Sequence, residues 1–216
     1  TKKKETQKIS QLTDYEKSKV NSEIKLKKLS NNKFKVISLR FATAAGYSPK
    51  LRLDLVFNDF IANAVTKKKI LILSDGTPWR PLIHVKDMAR AIDWAIQYRL
   101  KQNFLAINIG SDKWTFTIKK LAHIVSSTLG KTKVVLNKNN QPDKRSYTVD
   151  FSLFKKVCKD NQPSENINNA IKILAKKIRK SNLNFKNFRN SQKFIRLKTL
   201  IDLQKKNKLD KNLYWK

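Results

Sequence analysis

With a single cysteine, Cys158, in 216 residues, no disulfide can close within the chain and no cysteine cluster can hold a metal. Two histidines, His84 and His123, leave little for a zinc site built on imidazoles. No apolar run approaches the ~20 residues of a membrane-spanning helix, and the chain opens on TKKKETQK rather than on a secretory leader. These absences suit a cytoplasmic protein, and neither a metal nor a membrane partner is expected. Glycine is also scarce. Gly46, Gly76, Gly110 and Gly130 are dispersed, and no G-x-G-x-x-G or G-x-x-G-x-x-G run stands among them. Acid is scarcer than base by a wide margin, with 16 Asp and Glu against 48 Lys and Arg, a formal charge of +32.

Such a charge raises nucleic acid as a partner. Its make-up points elsewhere: Lys outnumbers Arg 39 to 9, whereas forked contacts to phosphates and base edges favour Arg. The basic runs KKK (2–4 and 67–69) and KKIRK (176–180) also lack interleaved aromatics for base stacking. A Lys- and Asn-rich chain can reflect biased composition at solvated positions, so no specific nucleic acid is expected. A basic protein that binds nucleic acid or another polyanion stays open as the reading from another class. Hydrophobic residues make up 40%, enough with this length for a proper core.

Strand and helix signals alternate along the chain. Residues 1–11 are polar without periodicity and read as loop. Thr13 with Glu16 three residues on forms a capping box that opens a helix. KFKVISLRF (33–41) alternates and reads as a strand, followed by a loop containing Gly46 and Pro49. LDLVFNDFIANAV has apolar residues at helical spacing, ILIL (70–73) is a short strand, and SDGTP (74–78) is a turn. PLIHV leads into the helix KDMARAIDWAIQYRL, and NFLAINIG (103–110) is a strand. Thr117 caps IKKLAHIVSSTLG, with Gly130 just past its end. TKVVLN is a strand, and a short helix follows around 152–158. An amphipathic helix over 164–180 turns Ile167, Ile171, Leu174 and Ile178 to one face, and a last helix spans 194–206. The class is α/β.

One pair of residues suggests chemistry. Tyr15 and Lys19 lie four apart on a helix and therefore share a face. An ammonium beside a phenol favours the phenolate, which can then serve as a general base. By spacing alone the ordinary reading is a solvated surface pair.

The surrounding order of segments adds specificity. LTDYEKSKVNSE, then LRFATAAGYSP, then ILILSDGTPWRPLIHVKDMARAI, INIGSDKWTFTIKKLAHIV and PDKRSYTVDFSLFKK together resemble the extended short-chain dehydrogenase/reductase family, in its nucleotide-sugar epimerase and dehydratase branch. The first resembles that family's Y-x-x-x-K helix, the second its L-R-x-x-x-x-x-G strand and loop. The third resembles its G-D-G-x-x-x-R-D-F-I-H-V-x-D block, with Ser74 in place of the first Gly and Pro81-Leu82 in place of Asp-Phe. The resemblance implies the C-terminal part of a Rossmann-type doubly wound parallel sheet plus a smaller α/β substrate-binding region. Residues 1–45 would be the remainder of the dinucleotide-binding domain, 46–180 mainly the substrate-binding region with a returning strand and helix, and 181–216 a basic helical tail. The missing Gly-rich turn implies a chain lacking on the order of 100 residues of nucleotide-binding half, inactive as the fragment alone.

Roles follow from the resemblance only. Tyr15 is expected to be the catalytic base and Lys19 its partner, both also touching NAD, with Phe41, Ala42 and Thr43 lining the nicotinamide. Asn58, Arg80, Asp143 and Arg145 are expected to bind a nucleotide-diphosphate sugar, Arg80 through a guanidinium fork on the diphosphate, unless it pairs instead with Asp87. His84, in an apolar run, reads as a satisfied core histidine. The implied activity is NAD-dependent epimerisation through a transient keto-sugar. Dehydratase and reductase chemistry, NADP as cofactor and a homodimer all stay open.

Overall fold

The computed structural model describes residues 2–7, 13–130, 132–136, 146–181, 188–191 and 194–216. In chain order the elements are α1 (Asp14–Leu29), β1 (Val36–Phe41), β2 (Thr43–Ala45), α2 (Val56–Lys67), β3 (Lys69–Ile72), β4 (Trp79–His84) and α3 (Val85–Gln97). They continue with β5 (Phe104–Ile109), β6 (Thr115–Thr117), α4 (Ile118–Thr128), β7 (Lys133–Leu136), α5 (Ser152–Val157), α6 (Ile167–Lys180) and α7 (Arg196–Lys205). The α/β class read from the sequence holds. Two compact units are each assembled from three separate stretches of chain.

The first unit comprises residues 1–44, 79–116 and 145–165. Its β1 and β5 pair in parallel, with Val36 opposite Phe104 and Phe41 opposite Ile109. A second sheet runs in the order β2-β4-β6. Trp94 of α3 meets Phe154 of α5 edge-on at 5.9 Å, and Ile107, Ile109 and Phe151 are fully enclosed with them. The alternation of Leu105, Ile107 and Ile109 along β5 feeds this core, as the period of a strand requires.

The second unit comprises residues 45–78, 117–144 and 166–216. Helices α2, α4 and α6 pack on one another, and α2 and α4 also pack on the parallel pair β3–β7. Ile171, Leu174 and Ile178 of α6 are buried as the amphipathic spacing predicts, while Ile167 is only partly covered. Thr117 caps α4 by accepting from the Lys120 amide, and Gly130 follows with φ of 92°, the left-handed conformation that ends a helix. Arg189 forks onto Asp59 of α2 at 2.7 and 2.6 Å, seating the turn that buries Phe188.

Three boundaries differ from the sequence reading for local reasons. The strand expected from residue 33 begins at Val36, because the Asn31 side-chain oxygen accepts from the Lys33 and Phe34 amides and holds those residues in a turn. The loop expected after Phe41 contains β2, a three-residue strand that exists through pairing with β4. Residues 2–7 are tied down rather than loose: the Lys3 amide donates to Thr148 O at 2.8 Å, and the Asp150 amide donates back to Lys3 O at 2.9 Å.

Candidate active site

Helix α1 forms from its ends inward. Thr13 Oγ1 accepts from the Glu16 amide at 3.2 Å, and Glu16 Oε2 accepts from the Thr13 amide at 2.9 Å, closing the capping box. Asp14 and Glu16 in the first turn and Lys27 and Lys28 in the last complement the helix dipole. The helix buries no residue, so apolar packing does not fix its orientation. A polar clamp does. Glu23 accepts a forked pair of hydrogen bonds from Arg40 of β1, one from Nε at 2.9 Å, and a third from Ser38 Oγ at 2.6 Å. Arg40 Nη1 in turn donates to Glu5 O at 2.9 Å, and Glu5 Oε1 accepts from the Asn108 amide of β5 at 3.0 Å. The Arg40 hydrogen bonds, with that from Ser38, hold the Glu23 carboxyl below the usual carboxylate range against the opposing effect of burial.

Tyr15 and Lys19 stand on this clamped helix, as their spacing requires. The Lys19 ammonium lies 5.5 Å from the centroid of the Tyr15 ring, and the tyrosine is 70% exposed. Phe41, Ala42 and Thr43 stand where β1 ends and β2 begins, with the Ala42 amide donating to Ile109 O at 2.9 Å. The carboxyl ends of the two parallel strands β1 and β5 thus finish side by side, the place where open α/β sheets receive ligands. Gly110, next after β5, permits this close approach. A Cβ there would sit 2.6 Å from two Phe151 ring carbons and 3.1 Å from Ala42 Cβ.

The other expected site residues fall into two groups. Arg80, on β4 of the first unit, donates from Nη1 to Trp79 O at 2.9 Å and lies over the Tyr147 ring at 5.7 Å. The pairing with Asp87 that the sequence allowed is not the one formed. Asp87 is buried, ion-paired with Arg90, and accepts from the Ser164 and Glu165 amides at 3.0 and 3.4 Å. Asn58, in the second unit, is neither a surface residue nor idle: its Oδ1 accepts from the Gly46 amide at 3.1 Å and its Nδ2 donates to Arg52 O at 2.9 Å. It holds the 46–52 loop onto α2. Asp143 and Arg145 lie outside the described residues.

His84 is the core histidine its setting suggested. Its Nδ1 accepts from the Lys86 amide at 3.3 Å and stands 3.8 Å from Glu165 Oε2, and burial pushes the imidazole below the ordinary histidine range. Residue-by-residue reading missed Glu23 and Gly110. Glu23 is four residues past Lys19, a signal readable only once Arg40 is known to face it.

A family model described as "NAD dependent epimerase/dehydratase family" matches residues 1–110. The chain belongs to this family. Among solved structures, UDP-glucuronic acid 4-epimerase from Bacillus cereus, in complex with UDP-glucuronic acid and NAD, aligns at a TM-score of 0.68 and 21% identity, over 83% of this chain and 56% of that one. dTDP-glucose 4,6-dehydratase from Bacillus anthracis, in complex with NAD, aligns at 0.69 and 20% identity, over 84% and 57%. ADP-L-glycero-D-manno-heptose-6-epimerase from Helicobacter pylori aligns at 0.69 and 16% identity, over 84% and 56%. The shared feature at this identity is the epimerase/dehydratase fold, of which the chain spans a little over half the length.

Proposed function

We propose that this chain carries the catalytic helix and the sugar-binding side of an NAD-dependent nucleotide-sugar epimerase. The observation that carries the reading is the exposed Tyr15–Lys19 pair on a helix pinned by Glu23 to Arg40, the last residue but one of β1. NAD is the cofactor of the reading, since the neighbouring structures are NAD complexes and the family is named for it. The residues that would hold its ribose and nicotinamide are Tyr15, Lys19, Phe41, Ala42 and Thr43, a set that offers a phenol, an ammonium and, at the carboxyl end of a parallel strand, an aromatic ring followed by two small residues. Residues 1–45 then belong with the cofactor, 46–180 mainly with the sugar nucleotide, and 181–216 form a basic tail.

In this mechanism Tyr15 Oη takes the proton of a ring hydroxyl, with the Lys19 ammonium on the same helical face beside it. NAD, when bound, supplies the acceptor for the hydride of the same carbon and its return. Tyr15 then gives the proton back to the keto oxygen after the sugar has presented its other face. Arg80 binds the diphosphate through parallel donors and keeps the nucleotide in place while the sugar turns.

The test is made in the whole protein that carries these residues, with UDP-glucose or UDP-glucuronic acid as substrate and proton NMR of the sugar as readout. Inversion at one ring carbon is expected. Tyr15→Phe should keep nucleotide-sugar affinity and lose turnover by about 10²–10⁴-fold. A keto-deoxy product would reassign the protein as a dehydratase, and an active Tyr15→Phe variant would remove Tyr15 from the reaction.

A further inference from the structure

The C-terminal stretch 196–216 contains seven Lys and Arg against two Asp, and the structure leaves most of its apolar residues outside. On α7, Leu197, Leu200 and Ile201 are exposed and, at i, i+3 and i+4, make one stripe. Helical geometry sets Arg196 on one flank of that stripe and Lys205 on the other, with Asp202 on the far side. Beyond the helix the chain folds back instead of trailing off. The Asp210 amide donates to Tyr214 O at 2.9 Å, the Lys216 amide to Lys208 O at 3.2 Å, and Leu209 bridges Trp215. Asp210 Oδ1 accepts from the Asn212 and Tyr214 amides at 2.8 and 2.9 Å, while Gln204 Nε2 of α7 donates to Asp210 O at 3.0 Å. Leu209 is buried as the anchor, and Trp215 and Tyr214 are held out at 73% and 71% exposure beside Leu213.

We propose that α7 and this terminal hairpin form a docking surface for an anionic lipid bilayer, lying in its interface without crossing it. Among the described residues no helix is long and apolar enough to span a membrane, but an interfacial site needs something else. It needs an apolar stripe, aromatics whose rings suit the headgroup level, and flanking cations that reach back to phosphate. Charge complementarity selects the occupant, because a stretch with seven Lys and Arg against two Asp, all but one of the cations lysine, is attracted to acidic headgroups mainly as point charges. Leu197, Leu200 and Ile201 decide between lipid and nucleic acid: an aliphatic stripe gains from insertion and has no partner on a phosphate backbone. The sequence reading expected no membrane partner because no apolar run approaches the length of a spanning helix, and the basic runs it weighed contained no aromatics. The aromatics are supplied by a turn that only the tertiary fold closes.

The test is flotation of the 216-residue chain with vesicles of phosphatidylcholine alone and of equimolar phosphatidylcholine and phosphatidylglycerol, at physiological and at high salt. The chain should float with the anionic vesicles only and retain part of that binding at high salt, where a purely electrostatic contact is screened. Leu200→Ser with Trp215→Ala should lower partitioning on the order of tenfold or more, with an unchanged circular dichroism spectrum. Arg196→Glu with Lys205→Glu, which leaves the apolar stripe intact, should remove the preference for anionic lipid. Absence of flotation, or binding indifferent to both pairs of substitutions, overturns the proposal. So does tight binding of single-stranded polyuridylate that is weakened by the same apolar substitutions, since it would give the surface to nucleic acid.

Discussion

Changing Glu23 to Gln alters few atoms yet removes the charge that the Arg40 fork and Ser38 converge on. The two side chains are 16% and 22% exposed, between the surface pairs that contribute ~0–1 kcal/mol and buried ones whose disruption costs ~3–5 kcal/mol. A loss of about 2 kcal/mol is therefore expected at neutral pH. Because α1 buries no residue, that loss should appear as local detachment of the helix, with amide exchange in α1 faster by about 30-fold and exchange in the α3 and β5 core little changed. The pH dependence is an internal control. Glu23's carboxyl is depressed in the folded state, so its stabilisation is complete above the unfolded glutamate value of about 4.3 and is lost as pH falls through the lower folded value. The wild-type chain and Glu23→Gln should therefore converge in α1 protection under acid conditions and differ most near neutrality. The double variant Glu23→Leu with Arg40→Met, which removes both charges, should recover much of the loss. Equal protection of α1 in wild type and Glu23→Gln at neutral pH would refute the clamp and with it the account of how Tyr15 and Lys19 are positioned.

Other outcomes follow from single sites. Arg80→Ala should weaken UDP binding in calorimetry by an order of magnitude or more, with Arg80→Lys recovering part of it, because an ammonium lacks the fork; unchanged binding with a lower Tm would make Arg80 structural. Gly110→Ala should cost about 1–3 kcal/mol in urea unfolding of the first unit, from the clash with Phe151, and a neutral result would show that the ring can move aside. Burial depresses His84 more than Glu165 and Asp87 raise it, so its stabilisation is complete above the unfolded histidine value of about 6.5 and is lost as pH falls through the lower folded value. His84→Gln should accordingly flatten the Tm-against-pH curve below that point.

Local order was legible because it is written in short-range chemistry. The capping box at Thr13 and Glu16, the Thr117 cap with Gly130 beyond it, and the buried stripe of α6 all follow from spacing, and spacing is what a sequence displays. The ordered motifs carried the family for the same reason: Tyr15 and Lys19 must share a helical face wherever the helix goes. What the sequence could not display are contacts between distant residues. Asn31 shortened β1 through its own side chain, but β2 exists because β4 lies alongside it. Asp87 pairs with Arg90 three residues away, and the Ser164 and Glu165 amides that complete its shell are 77 and 78 residues distant. Asn58, expected at the sugar nucleotide, has its side-chain amide engaged by the Gly46 amide and the Arg52 carbonyl, contacts that its place in the sequence does not display. The composition and periodicity of this chain determined its class and its helices, and its ordered motifs carried the resemblance to its family, whereas tertiary packing decided which polar side chains are buried and committed and which residues, like Tyr15 and Trp215, are left facing solvent.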